Sequence, residues 1–309
     1  MLHITDALVD QHVNADDAQH VLRAAFECFG RNEAAMQARI RTEAAGVKLS
    51  TLGAVIPGQA VAGAKVYTTI DGQFSFVIVI FSTEDGRPLA SLDAGAITRL
   101  RTAACSVVAA RKLARPDARV LAVYGLGTQG RSHVEQMSRA FDLDQVWVCD
   151  PHASGEEARA LGERCGVPVA LAPPEAAIAE ADIVVTASRS ATPLFRGDAI
   201  RPGTFIAAIG SSLPHTRELD DTALARARAV VVEWREQSLR EAGDLVLAAP
   251  GVVSTDKVLE LADVLTGKVT ARQGPDDILI YKSVGVGLED VALAGLAYQR
   301  IAAAQARAA

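Results

Sequence analysis

An excess of positive charge is the first thing this sequence lacks. Against 31 Lys and Arg it sets 37 Asp and Glu, for a formal charge of −6. That balance gives no electrostatic case for a nucleic acid or an anionic membrane as partner. Cysteine is scarce and scattered. Cys28, Cys105, Cys149 and Cys165 form no close pair and have no histidine at ligand spacing, so neither a disulfide framework nor a metal site is expected. No apolar run is long enough to span a bilayer, and Met1-Leu-His-Ile-Thr-Asp6 has neither the basic start nor the apolar core of a signal peptide. The expected location is cytoplasmic. Internal repeats and low-complexity tracts are missing too. What remains, 309 residues with 50% hydrophobic and 22% charged side chains, is a globular chain with room for two domains.

Residues 120–150 say most about function. An apolar run, Val120-Leu-Ala-Val-Tyr124, leads into Gly125-Leu-Gly-Thr-Gln-Gly130. A polar segment follows with Val134, Met137 and Phe141 at helical spacing. A second apolar run, Gln145-Val-Trp-Val-Cys149, then delivers Asp150 about twenty residues after the last glycine. Strand, glycine turn, helix, strand and acid is the order of a dinucleotide-binding unit. In such a unit Gly125 permits the tight turn, Gly127 lets a pyrophosphate approach the backbone, and Gly130 lets the helix pack closely on the strand. The N–H groups and partial positive charge of the helix N-terminus suit the phosphates. The competing interpretation is a glycine-rich turn in some other α/β protein. Asp150 accepts the two hydroxyls of an adenosine ribose but repels a 2′-phosphate, and Pro151-His-Ala-Ser154 supplies no Arg to receive one. NAD(H) is therefore expected in preference to NADP(H), the alternative.

Upstream, residues 1 to about 35 have the pattern of a helical scaffold, with Asp16-Asp17 near a helix start and Val21, Leu22, Ala25 and Phe26 in one stripe. From Ala38 to Asp93 the pattern turns to strands at 39–42, 48–52, 64–68, 74–81 and 88–92, with Asp71-Gly72 and Asp85-Gly86 as hairpin turns. An α+β domain with an antiparallel sheet is expected. Within it Lys65 alternates with Ala64 and Val66 and can point its ammonium away from the core into a cleft; the alternative is a solvated strand lysine. A helix over residues 94–113 carries Ile97, Leu100, Ala104, Cys105 and Val108 on one apolar face, and Arg101 falls on that face too. A guanidinium there needs an anionic partner, either an internal carboxylate or a ligand. Arg115-Pro-Asp117 breaks the helix and marks the domain boundary.

Beyond Asp150, helices at 156–163, 174–179 and 220–225 alternate with strands at 167–171, 182–187, 204–209 and 229–233. Ile183-Val-Val185 and Val230-Val-Val232 are unbroken apolar runs, as in a parallel sheet covered on both faces. Ligands of such sheets bind at the carboxyl ends of the strands, where Thr186-Ala-Ser188 and Gly210-Ser-Ser212 make the turns. An Ala-rich C-terminal helix is expected to fray after Arg300.

Five motifs follow one another along the chain. They are Arg101-Thr-Ala-Ala104, the turn from Gly125 to Gly130, Ala208-Ile-Gly210 through Pro214 to Glu218-Leu-Asp220, Glu241-Ala-Gly-Asp244, and Lys282-Ser-Val-Gly285 through Glu289-Asp290. With them the sequence resembles the ornithine cyclodeaminase/mu-crystallin family over nearly its whole length. The resemblance implies an α/β protein with a Rossmann dinucleotide-binding domain, residues 116–285, and a smaller α+β substrate-binding and dimerisation domain, residues 1–115 together with 286–309. Homodimers would form through the sheets of the smaller domains. It implies that Arg41 and Lys65 bind the carboxylate of a small amino or imino acid, and that Arg101 reaches that carboxylate or the cofactor. Arg39 shares the strand face of Arg41 and is the alternative to it. As cofactor contacts the resemblance implies Thr128, Gln129, Asp150, Thr186, Ile209, Gly210 and Ser283 beside Gly125, Gly127 and Gly130.

One departure bears on the chemistry. Where the cyclodeaminases carry an Asp that handles protons during deamination and ring closure, this sequence has Ser212. A serine hydroxyl cannot replace a carboxylate as general base, whereas reduction of an imine that already exists needs no such base. The resemblance is thus to the ketimine reductases of the family. It implies NAD(P)H-dependent reduction of Δ1-pyrroline-2-carboxylate or Δ1-piperideine-2-carboxylate to proline or pipecolate. Lys65, Arg41 and Ser212 form the expected catalytic set, with Ser212 orienting water and the imine proton coming from solution or from Lys65. Ornithine cyclodeamination, an alanine-type amino acid dehydrogenase and a non-catalytic mu-crystallin-like binding protein are the alternatives. In a cyclodeaminase, Glu218 or His215 would have to supply the base.

Overall fold

Hairpins build the first part of the chain in the computed structural model, which describes residues 1–308. After strand β1 (Leu2–Ile4) and helices α1 (Asp6–His12) and α2 (Ala15–Gly30) come β2 (Ala35–Ala44), β3 (Val47–Ile56), β4 (Val61–Ile70), β5 (Gln73–Ser82) and β6 (Pro88–Asp93). Helix α2 starts on a capping box in which Asn14 and Asp17 exchange side-chain to backbone hydrogen bonds. The β4–β5 turn puts Asp71 and Gly72 at φ 48° and 74°, the two-residue geometry whose twist matches that of the flanking strands. Ala45 and Gly46 make the same turn between β2 and β3, at φ 47° and 78°, without the Asn or Asp that advertises one.

Strands β2 to β6 pair antiparallel in chain order, but β1 adds parallel to β6. The sheet is therefore mixed, not purely antiparallel, and the first 35 residues are not helical throughout. A strand of three residues is too short for periodicity to reveal. In register across β3, β4 and β5, Leu52, Lys65 and Ile78 share the buried face.

Helix α3 (Gly95–Leu113) leads to the second sheet. Its elements are β7 (Val120–Tyr124), α4 (Thr128–Ala140), β8 (Gln145–Cys149), α5 (Gly155–Cys165), β9 (Val169–Leu171), α6 (Pro174–Glu180) and β10 (Ile183–Thr186). Then follow β11 (Phe205–Ala208), α7 (Asp221–Arg226), β12 (Ala229–Val232), α8 (Arg235–Glu241), α9 (Gly243–Val246), β13 (Val258–Glu260), α10 (Leu261–Leu265) and β14 (Leu279–Lys282). This 8-stranded sheet has the order β13-β12-β14-β11-β10-β7-β8-β9, and all its pairs are parallel. Strands β10, β11, β12 and β14 are buried at every residue, as a sheet covered on both faces requires. From β7 the chain steps outward through β8 and β9, then returns to the other side of β7 to lay down β10. The junction of β7 and β10 is therefore the switch point, where a doubly wound sheet opens its ligand crevice.

Helix α11 (Gly287–Ala308) returns to the first sheet, packing on α2 and across β2 to β6. It continues past Arg300, where fraying was expected, because Arg300 donates to Asp17 at 2.6 Å and to the His12 carbonyl at 3.2 Å. Two compact units result, Met1–Cys105 with the chain from Gly285 onward, and Ser106–Val284. The division falls inside α3, between Cys105 and Ser106, and not at the Arg115-Pro-Asp117 break.

Candidate active site

Strand alternation decides where Lys65 points. Register pairs it with buried Leu52 and Ile78, so its side chain enters the packed face while Ala64 and Val66 lie on the open one. This reverses the expected orientation away from the core, and it also removes the solvated alternative, since Lys65 is 3% exposed. Its Nζ donates to Thr98 Oγ1 at 2.6 Å and to Asp290 Oδ1 at 3.4 Å, and lies 4.4 Å from the centre of the Phe76 ring. Burial pushes the Lys65 ammonium down to about 8 against the pull of Asp290, and the charges of Arg101 and Arg39 act in the same direction as burial.

Arg101 is buried on the apolar stripe of α3, with Ile97, Leu100, Ala104, Cys105 and Val108. Its Nη1 donates to Glu289 Oε2 at 2.6 Å, and its Nε lies 3.2 Å from Asp290 Oδ1. The anionic partner required by its position is thus an internal carboxylate pair, so a ligand is not needed to balance its charge. Glu289 and Asp290 sit in the first turn of α11, where the helix dipole favours acids. Arg39 donates from Nη2 to the Gly285 carbonyl at 2.7 Å. Arg41 pairs in register with buried Ser50, on the face that Lys65 shares. The chain therefore collects Lys65, Arg39 and Arg101 around Glu289-Asp290, with Arg41 on the same sheet face. In the sequence these two acids stand only as part of a motif, with no role of their own. The clue was two carboxylates at the head of an otherwise apolar segment, Val284-Gly-Val-Gly-Leu288 before and Val291-Ala-Leu293 after.

In the second unit the glycine turn follows β7. Gly125 has φ +94, and a Cβ there would come 2.7 Å from the Ala187 carbonyl of the loop after β10. Gly130 packs so closely on the turn that its Cβ would strike the Gly125 carbonyl. A Cβ on Gly127 would meet nothing within 4 Å. Packing does not demand a glycine there, and the backbone is left open to the approach of a ligand. Gly127 also caps α4 without a side-chain oxygen, and Thr128, Gln129 and Gly130 form the first turn.

Asp150 follows β8. Its Oδ2 accepts from the Leu126 amide at 2.6 Å and its Oδ1 from the His152 amide at 2.8 Å. Burial works to raise the Asp150 carboxyl, but the two amide bonds outweigh it and hold it below the ordinary carboxylate range. An ionised acid is thereby anchored to the glycine turn itself. Arg131, in α4, also acts on Asp150 and pairs with Glu157 at 3.0 Å.

The strand-end residues are more occupied than sequence suggests. The Thr186 hydroxyl donates to Glu218 at 2.8 Å, and Ile209 and Gly210 donate their amides to the Thr186 carbonyl at 2.8 and 3.1 Å. Ser283 reaches its strand end, yet its hydroxyl donates to Glu233 at 2.6 Å and its amide to Ala208 at 3.0 Å. Ser212 is half-buried in the loop after β11, and His215 is exposed in a turn beyond it. Among the described residues there is no group of three or more His, Cys, Asp or Glu placed to hold a metal ion, and no helix long and apolar enough to cross a membrane.

Residues 4–305 match the profile of the ornithine cyclodeaminase/mu-crystallin family. The chain belongs to this family. The delta(1)-pyrroline-2-carboxylate reductase of Bacillus cereus is 34% identical to this family member over 265 residues, 84% of this chain and 78% of that protein. Among solved structures, a probable ornithine cyclodeaminase from Bordetella pertussis Tohama I is 65% identical with a TM-score of 0.97, covering 99% of this chain and 98% of that one. An archaeal alanine dehydrogenase dimer with bound NAD is 28% identical with a TM-score of 0.91, covering 99% and 97%. The expected combination of a Rossmann sheet with an α+β unit is the fold these proteins share.

Proposed function

We propose that this family member reduces a cyclic imino acid, Δ1-pyrroline-2-carboxylate or Δ1-piperideine-2-carboxylate, with NADH as the favoured reductant. One observation carries the choice of reduction over cyclodeamination: both acids of the loop after β11, Glu218 and Asp220, already accept hydrogen bonds from within the protein. Ser212 stands where the cyclodeaminases carry their Asp. The nearest carboxylate in sequence, Glu218, is fully buried and already accepts bonds from Thr186, Ser188, Gly210 and Ser211, so its lone pairs are occupied. The reductase name of the Bacillus cereus relative supports the same choice.

The glycine turn fits a dinucleotide, since Gly127 leaves open space and Asp150 is held ionised beside the turn, as ribose recognition requires. NADH, when bound, supplies a hydride to the imine carbon. The chain's own residues do the rest. Lys65 and Arg41, or Arg39 in place of Arg41, hold the substrate carboxylate and orient the ring. As the C=N electron pair moves onto nitrogen a proton must reach that atom, and Lys65, titrating near 8, carries one at neutral pH and can release it. Arg101 and Lys65 together balance Glu289 and Asp290, and the ion pair with Asp290 holds Lys65 in place.

The test is NADH oxidation with each cyclic imine beside ornithine and beside pyruvate plus ammonia. NADH should be consumed with the imines, faster than NADPH, and ornithine should release no ammonia. Ammonia release from ornithine would give the reaction to the cyclodeaminases, and consumption of NADH with pyruvate and ammonia alone would make the protein an alanine-type dehydrogenase.

A further inference from the structure

We propose that Glu218 is the positioning residue of the cofactor crevice, a carboxylate that locks the loops after β10 and β11 into one piece against the glycine turn. The proposal rests on the NADH reading above. Glu218 is fully buried and its two oxygens accept five hydrogen bonds. Oε1 takes the Ser188 amide at 2.7 Å and the Ser188 hydroxyl at 2.7 Å; Oε2 takes the Thr186 hydroxyl at 2.8 Å, the Gly210 amide at 2.8 Å and the Ser211 amide at 3.3 Å. Every donor lies at the carboxyl end of β10 or β11, the side of the sheet on which ligands bind.

The clamp is itself anchored. The amides of Glu218 and Leu219 donate to Asp244 Oδ1 at 2.7 and 2.9 Å, Asp244 Oδ2 pairs with Lys282 Nζ at 2.9 Å, and Lys282 donates to the Ala208 carbonyl at 3.1 Å. Three strand ends, those of β10, β11 and β14, are thus tied through one buried chain of hydrogen bonds and an ion pair. On the other side the loop after β10 presses on the turn, since Ala187 lies against Gly125. Gly210 allows the close approach, because a Cβ there would strike both the Ser188 carbonyl and Glu218. The strands need none of this to pair. A buried carboxylate with four of its five bonds aimed at two loops, and the fifth at the last residue of β10, serves the loops.

The chemistry demands an acceptor-only group. A glutamine has the shape but brings an N–H2 donor to a place surrounded by donors. Its nitrogen would take the position of Oε1, because the Ser188 hydroxyl can turn and accept, whereas the Gly210 and Ser211 amides cannot. The Ser188 amide is then left facing another donor, and the loop after β10 is released while the loop after β11 stays.

In Glu218→Gln, amide hydrogen exchange at Ser188 should accelerate at least about tenfold while Gly210 and Ser211 stay within about twofold, and the NADH dissociation constant should rise about tenfold, the loss of one bond to a charged group. The KM for the imine should move less than about threefold, since Lys65 lies outside the clamp. Should this variant fail to fold, Ser188→Ala removes one donor and keeps the carboxylate, and should raise the NADH dissociation constant about threefold. Unchanged NADH affinity in these variants overturns the proposal, as does exchange that rises equally at all three amides and along β10 and β11. The unmutated protein is the control: if it binds no NADH, the cofactor reading fails before the clamp is tested.

Discussion

A lysine that is 3% exposed and titrates near 8 is an unusual object at the scale of a single residue, because burial penalises its charge and Asp290, Thr98 and the Phe76 ring offset only part of the penalty. Its folded value is lowered, so the ammonium is intact below about 8 and lost above it. If Lys65 holds the substrate carboxylate and supplies the imine proton, log kcat/KM for imine reduction should fall with unit slope as pH rises through about 8. Lys65→Arg keeps its charge throughout that range and should abolish the alkaline limb while lowering the maximum rate about tenfold or more, since a guanidinium makes a poor acid. A pH profile unchanged in the Arg variant would place the titration elsewhere, in the imine itself.

Helix α4 combines two demands at the scale of an element. Its first turn must lie close against the glycine turn, which accounts for Gly130, and is left open at Gly127, where the proposed dinucleotide would approach; its body must pack. His133 serves the second demand. It is fully buried, with Nδ1 2.7 Å from the Gln129 carbonyl and Nε2 2.9 Å from the Ser106 hydroxyl. A carbonyl only accepts, so Nδ1 carries the proton and Nε2 accepts from Ser106; the ring is neutral. Burial pushes His133 from 6.5 down to about 4, partly opposed by the bond to Gln129. Between those values the unfolded chain binds a proton that the folded chain refuses, so stability is whole above about 6.5 and falls as pH drops toward 4. Urea unfolding at pH 7, 6 and 5 should show this loss, reaching about 2 kcal/mol by pH 5. His133→Gln should show a flatter dependence than the parent. Parallel curves for the two proteins would mean that the carboxylates alone set the acid limb.

At the scale of the whole molecule, the six-stranded sheet has two faces with opposite fates. One is buried. The other exposes Ile40, Leu49, Val55, Ile70, Val77 and Phe81, each 40% to 54% accessible, and the register of β2 to β5 places all six on that one face. A face carrying this many exposed large apolar side chains is the kind that association covers. The protein should therefore sediment as a homodimer joined through this sheet, and Leu49→Lys with Val77→Lys, which puts two like charges into a two-fold interface, should convert it to a monomer. A dimer that survives both changes would have to use another surface.

Several features of this protein were readable in the residues alone. The glycine turn with Asp150 after the next strand, the apolar stripe that includes Arg101, the Asp71-Gly72 hairpin and the absence of a cyclodeaminase Asp at Ser212 are all local patterns. A strand, a helix or a tight turn is specified by neighbours a few residues apart, and the period of the pattern reports it. What the local pattern does not contain is the partner. Lys65 alternates with Ala64 and Val66 whichever face is buried; only the register with Leu52 and Ile78 settled that it faces inward. Arg101 needs an anion on any reading, and the fold alone supplied Glu289, 188 residues away. Strand β14 reads as four unremarkable residues until it inserts between β11 and β12 and brings Lys282 to Asp244. Glu218 appears in sequence as one acid among many, and becomes a clamp because two loops converge on it. Sequence determines which groups carry charge and which segments can be regular. Long-range packing decides which charges meet, because burying one makes a partner obligatory without saying where along the chain that partner lies.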